Sequence, residues 1–209
     1  MKREKIVDEL NKLFPDASCE LEHKSNFELL VSVILSAQCT DKRVNEVTRE
    51  LFKIANTPQQ FAKMPQEELE KLIYSCGFYR NKAKNIIAAS KDICEKFNGE
   101  VPQNYDDLVS LAGVGNKTAN VMTSVAFGGD AFAVDTHVLR TANRLQLVDT
   151  KNPDKCMKEL KEIFKQKDWT RLHYQMVLFG RYKCKSQRPK CDNCPFQKNC
   201  KYYSEKRGK

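Results

Sequence analysis

At 209 residues the chain is long enough for one large domain or two small ones, with a sizeable core. It holds no apolar run long enough to cross a bilayer, which excludes a membrane-spanning helix, and its start, MKREKIVDEL, is too charged for an export signal. Lys and Arg outnumber Asp and Glu by 36 to 27, a net charge of +9, and residues 181–209 alone account for +8 of it.

Apolar residues recur at helical spacing almost throughout. Ile6, Leu10, Leu13 and Phe14 mark one face of a helix over 2–14. The run NFELLVSVILSAQ predicts a strongly apolar helix over 26–38 behind Ser25 or Asn26 as N-cap. Thr40 is placed to cap a helix over 41–54, with Val44, Val47, Leu51 and Phe52 on its face. Pro58 and Pro65 mark two further helix starts. Helices follow over about 67–75 and 79–97, the first stopped by Gly77. Asn104 caps 105–111, and Asn116 opens a helix to Phe127, stopped by Gly128 and Gly129. The remainder fits helices over 135–147, 153–166 and 168–181, with Asn152 and Pro153 opening the second. There is no period-two alternation and no repeat, so the fold class is all-α.

The nine cysteines divide by position. Cys19, Cys39, Cys76, Cys94 and Cys156 are scattered and read as buried thiols of a reducing cytoplasm. Cys184, Cys191, Cys194 and Cys200 form Cys-x6-Cys-x2-Cys-x5-Cys, a metal-ligand pattern. Structural zinc usually takes two short Cys-x-x-Cys knuckles, and here there is one. The wide loops favour a 4Fe–4S cluster, with zinc as the other candidate. One sequential loop for all four ligands leaves no open position, which argues for structural use over substrate chemistry; a redox cluster in electron transfer is the alternative, with no flavin or partner signature beside it. The first interval, KSQRPK, holds Lys185, Arg188 and Lys190. The cluster would then pin a basic loop for phosphate contact. A basic end on a nearly neutral body points to an anionic partner such as nucleic acid, although a solvated tail would show the same charge.

In LAGVGNKTAN, Gly113 and Gly115 sit between two expected helices. Glycine permits positive φ and close backbone approach, and the following helix N-terminus adds outward N–H groups. This helix–hairpin–helix pattern suits a DNA phosphate without reading bases; a plain helix-to-helix turn is the alternative. Lys117, at the helix start, is electrostatically disfavoured as a cation. Burial and positive potential there would raise its neutral, nucleophilic fraction. Asp135, in AVDTHVLR, is either an N-cap or a carboxylate that stabilises a cationic centre.

Together LAGVGNKTAN, AVDTH and the cysteine spacing, with LSAQCTD (35–41) and GFYRNKA (77–83), resemble the endonuclease III family of base-excision DNA glycosylases, from about residue 5 to 200. The resemblance implies two helical domains with a DNA cleft between them: a six-helix domain over 22–132, and a second of 1–21 plus 133–209 that carries a 4Fe–4S cluster. It implies a monomeric cytoplasmic enzyme acting on double-stranded DNA with damaged pyrimidines or abasic sites. Lys117 would attack the sugar C1′, Asp135 would stabilise the developing charge, and β-elimination would cut the strand. Gln38 would fill the gap left by the flipped base, and Phe78, where the family often has Leu, would wedge the opposite strand. Ala112 stands where the family usually has Pro. Mismatch-specific glycosylases of the same fold replace the lysine and are disfavoured by Lys117; a non-catalytic redox or DNA-binding module would not need Lys117 and Asp135 together.

Overall fold

The computed structural model describes residues 3–128 and 132–207, and every regular element among them is helical. Twelve α-helices follow in chain order: α1 (Arg3–Leu13), α2 (Asn26–Ser36), α3 (Asp41–Ile54), α4 (Pro58–Lys63), α5 (Gln66–Ile73), α6 (Tyr79–Lys96), α7 (Tyr105–Ser110), α8 (Asn116–Val125), α9 (Thr136–Arg144), α10 (Pro153–Ile163), α11 (Trp169–Leu178) and α12 (Lys201–Arg207). The chain divides into two compact units, one of Cys19–Gly128 and one that joins Met1–Ser18 to Gly129–Lys209.

The first unit is built around α2. Its residues from Phe27 to Leu35 are buried on every side, as a helix surrounded by others must be. The α3, α6 and α8 helices pack against it. Ser25 Oγ caps α2 by accepting from the Glu28 N–H at 3.1 Å. A reciprocal capping box between Thr57 and Gln60 starts α4, with Pro58 in its first turn. Phe27 and Phe61 meet edge to face with ring centroids 5.4 Å apart, joining α2 to α4.

The second unit has its own core of Ile6, Leu10, Phe132, Val138, Leu160, Met176 and Phe179 with their neighbours. There α1 and α9 both pack on α11. Beyond Leu178 the helix does not stop but loosens into a π-helical turn, Phe179–Lys183.

Several helices end earlier than the apolar pattern. The 26–38 helix stops at Ser36, 105–111 at Ser110, 116–127 at Val125 and 135–147 at Arg144. The reason is visible after α9. Leu145 and Val148 remain buried, so the apolar spacing continues although the backbone has left the helix. Gly128 has φ +63 and supports the expected stop, while Gly129 lies outside the described residues. Of the five scattered cysteines only Cys76 and Cys156 are buried; Cys19, Cys39 and Cys94 are half-buried, because Cys19 and Cys39 lie in the connections before and after α2 and Cys94 lies near the C-terminal end of α6.

Candidate nucleic-acid interface and cysteine loop

The hairpin joins α7 to α8. Asn104 caps α7, its Oδ1 accepting from the Asp106 and Asp107 N–H groups at 2.8 and 3.4 Å. The helix ends at Ser110, and the Leu111 N–H returns to the Leu108 carbonyl. The two glycines then differ. Gly113 has φ +79, and a Cβ there would stand 2.9 Å from Asn85 Cβ, so both conformation and space demand glycine. Gly115 is extended, at φ −93 and ψ 178, with open space where a Cβ would be. It is the N-cap of α8 but has no side chain to cap with, which leaves the first-turn N–H groups available to an incoming anion. Lys117 is the second residue of α8 and is exposed. Burial, one of the two effects expected to favour its neutral amine, is therefore absent, because the helix start faces solvent.

Asp135 is the N-cap of α9. Its Oδ1 accepts from both the His137 and Val138 N–H groups at 2.8 Å. An ionised carboxylate has more lone pairs than this uses, so capping leaves Asp135 able to face a second positive group.

Gln38 and Phe78 are brought together in the first unit by backbone geometry. Gln38 follows the end of α2 with φ +53, and Phe78 precedes α6 with φ +58. Both are non-glycine residues in the left-handed region, which concentrates at functional sites. Phe78 is 63% exposed, so it is not the core aromatic that its place after a helix end would otherwise suggest. Between them, a Cβ on Gly77 would lie 3.4 Å from the Gln38 carbonyl oxygen, so the two turns lie against each other.

Cys184, Cys191, Cys194 and Cys200 all line one cavity, together with Phe179, Leu145 and Tyr202. Among the described residues no three Cys, His, Asp or Glu side chains are arranged to hold a single metal ion. Burial pushes the Cys194 thiol up, and Cys184 and Cys200 add to this. Partly buried sulfurs of this kind need a neighbouring donor. One is Arg144, whose Nη1 donates to Cys184 Sγ at 3.3 Å and to the Lys185 carbonyl at 2.7 Å. Its Nη2 donates to the Ser186 carbonyl at 3.2 Å, and its guanidinium lies 3.9 Å from the Tyr202 ring centroid. Arg140 Nε donates to the Cys184 carbonyl at 3.1 Å and Nη2 to the Gly180 carbonyl at 2.7 Å. Phe196 is fully buried edge-to-face against Phe179, centroids 5.3 Å apart, and anchors the far side of the loop. Lys185, Arg188 and Lys190 project from it exposed. Sequence reasoning passed over Arg140 and Arg144, although their spacing of four places both on one face of α9.

Residues 31–166 match the family described as HhH-GPD superfamily base excision DNA repair protein. Endonuclease III of Bacillus subtilis is 48% identical over 196 residues, covering 93% of this chain and 90% of that protein. The solved structure of a non-covalent endonuclease III–DNA complex superimposes with a TM-score of 0.96 at 46% identity over 100% of both chains. A trapped endonuclease III–DNA covalent intermediate superimposes with 0.94 at the same identity and coverage.

Proposed function

We propose that this chain, which belongs to the endonuclease III family within the HhH-GPD superfamily, is a bifunctional DNA glycosylase and abasic-site lyase that removes oxidised pyrimidines from duplex DNA. The observation that carries the reading is the Lys117 amine, exposed on the first turn of α8 directly behind the open Gly115, in a chain of that family.

The hairpin would accept a phosphate oxygen on the α8 N–H groups, setting Lys117 beside the adjoining sugar. The target nucleotide must leave the stack before its C1′ can be attacked. Gln38 would fill the vacated space and Phe78 would stack on the opposite strand. Neutral Lys117 Nζ then attacks C1′, and the C1′–N bond breaks as the base departs with the electron pair. The Asp135 carboxylate stabilises the positive charge that develops on the sugar. Loss of a nitrogen proton and opening of the ring give a Schiff base between Lys117 and C1′. The imine acidifies the C2′ hydrogens; loss of one drives out the 3′ phosphate by β-elimination. Water hydrolyses the imine and frees Lys117.

The four cysteines fit a 4Fe–4S cluster, since all four border one cavity and a cubane takes four cysteine ligands. When bound, it would supply rigidity to the loop of Lys185, Arg188 and Lys190, which would contact phosphates. The protein would act as a monomer on the DNA of the cytoplasm.

Sodium borohydride reduction in the presence of thymine-glycol duplex is the direct test. The chain should become covalently attached to the DNA. Lys117→Gln should bind the same duplex but lose both the adduct and strand cleavage. An undiminished adduct in Lys117→Gln would assign the chemistry to another amine and leave the hairpin as a grip on the backbone.

A further inference from the structure

Beneath the turns that carry Gln38 and Phe78 lies a lysine with no role in the reaction described above. Lys82 sits on the first turn of α6 and is 5% exposed, although lysine is among the residues least often buried. Its Nζ donates to the Leu35 carbonyl at 2.9 Å and to the Ala37 carbonyl at 2.7 Å. Both acceptors lie at the C-terminal end of α2, one residue and three residues before Gln38. Its own N–H donates to the Phe78 carbonyl at 3.1 Å, closing the first turn of α6. One residue therefore bonds the end of the helix that leads to Gln38 and, through its backbone, the residue that opens α6.

We propose that Lys82 is a positioning residue for base extrusion, holding the Gln38 turn and the Phe78 turn in one fixed register so that both side chains enter the duplex as a unit. The inference rests on the reading of Gln38 as gap filler and Phe78 as wedge. Three further observations support it. A helix C-terminus presents unpaired carbonyls and a negative dipole end, and a buried ammonium satisfies both. The groups facing Lys82 are thiols: Cys39 follows Gln38 and Cys76 precedes Gly77, and their side chains hydrogen-bond each other. Cys76, fully buried, is pushed up to about 12, chiefly by burial, so it stays a neutral thiol. Burial likewise holds Lys82 below the ordinary lysine range, so the charge is kept at an energetic cost. Finally, both turns are held at positive φ on non-glycine residues, a conformation that persists only where its surroundings fix it.

Lys82→Met keeps the stem and removes the three donors. Base release from thymine-glycol duplex under single-turnover conditions should slow at least tenfold. Cleavage of an abasic site in a single-stranded oligonucleotide, where there is no partner strand to displace, should stay within twofold. In a background carrying both Gln38→Ala and Phe78→Ala the same change should add less than twofold, because both side chains that it positions are gone. Lys82→Arg, which keeps a cation and several donors, should recover part of the duplex rate; it also serves if Lys82→Met is insoluble, with a duplex-selective loss smaller than tenfold expected. An unaltered duplex rate, an equal loss on both substrates, or full additivity with the Gln38→Ala, Phe78→Ala pair would each overturn the inference. Normal duplex rates in Gln38→Ala and Phe78→Ala would overturn the wedge reading itself, and the inference with it.

Discussion

Asp135 commits Oδ1 to the His137 and Val138 N–H groups, so its structural task and its proposed chemical one can be separated by substitution. Asparagine caps a helix about as well as aspartate, because a neutral amide oxygen accepts the same two hydrogen bonds. Asp135→Asn should therefore leave the thermal midpoint near that of the parent while removing the charge. Base release should fall on the order of a hundredfold or more, the scale seen when one preorganised electrostatic group is removed from a transition state. Asp135→Ala loses the cap as well, and should cost about 1 kcal/mol of stability in addition. Calorimetry and single-turnover kinetics on the two variants decide the matter. If Asp135→Asn released bases at the parent rate, the residue would be a cap and nothing more.

The two hairpin glycines separate fold from binding at the level of the element. Gly113→Ala places a methyl 2.9 Å from Asn85 Cβ at φ +79, so it should destabilise by about 1–2 kcal/mol from the backbone alone. Gly115→Ala meets nothing within 4 Å and needs no positive φ, so its melting should fall only by what alanine loses to glycine as an N-cap, about 1 kcal/mol or less and smaller than in Gly113→Ala. Its methyl instead occupies the open side of the α8 N-cap, and affinity for duplex should drop. Melting curves and a duplex binding isotherm test both; normal binding in Gly115→Ala would reverse the assignment. The sequence displayed much of this: Asn104 as a cap, the GVG connection and the start of α8 at Asn116 are all local chemistry. Helix ends were harder to read, because burial continues past them, as at Leu145. The burial of Lys82 was not legible at all. A lysine at that place in GFYRNKA reads as solvated until α2 ends against it, and no spacing within α6 announces that long-range pair. The exposure of Lys117 was missed for the complementary reason: hairpin chemistry says where an amine stands but not what covers it.

Across the whole molecule the charge is concentrated where the cysteine loop lies, and two kinds of tether hold that loop. The protein supplies one: Phe196 is buried on Phe179, and Arg144 bonds the Lys185 and Ser186 carbonyls. The cluster would supply the other, through the four thiolates around their shared cavity. Neither Phe196 nor Arg144 fixes the stretch between Ser186 and Cys191, where Arg188 takes φ +46 and Lys190 N–H reaches the Lys183 carbonyl at 3.0 Å. Loss of a ligand should therefore loosen the basic residues more than the core beneath them. Anaerobically purified protein should be yellow-brown with about four irons per chain if the cubane is present. Cys194→Ser should lose visible absorbance and weaken binding to every duplex sequence alike. Each of Lys185→Ala, Arg188→Ala and Lys190→Ala should lower the magnitude of the slope of log K against log salt by about 0.9, the signature of one phosphate contact. These residues give position and not sequence, so damaged and undamaged duplexes should be affected in the same proportion. A colourless protein carrying one zinc would replace the cluster with a simpler pin, and salt slopes unmoved by all three substitutions would mean that the basic loop is solvated and that phosphate contact is made elsewhere, at the hairpin first of all.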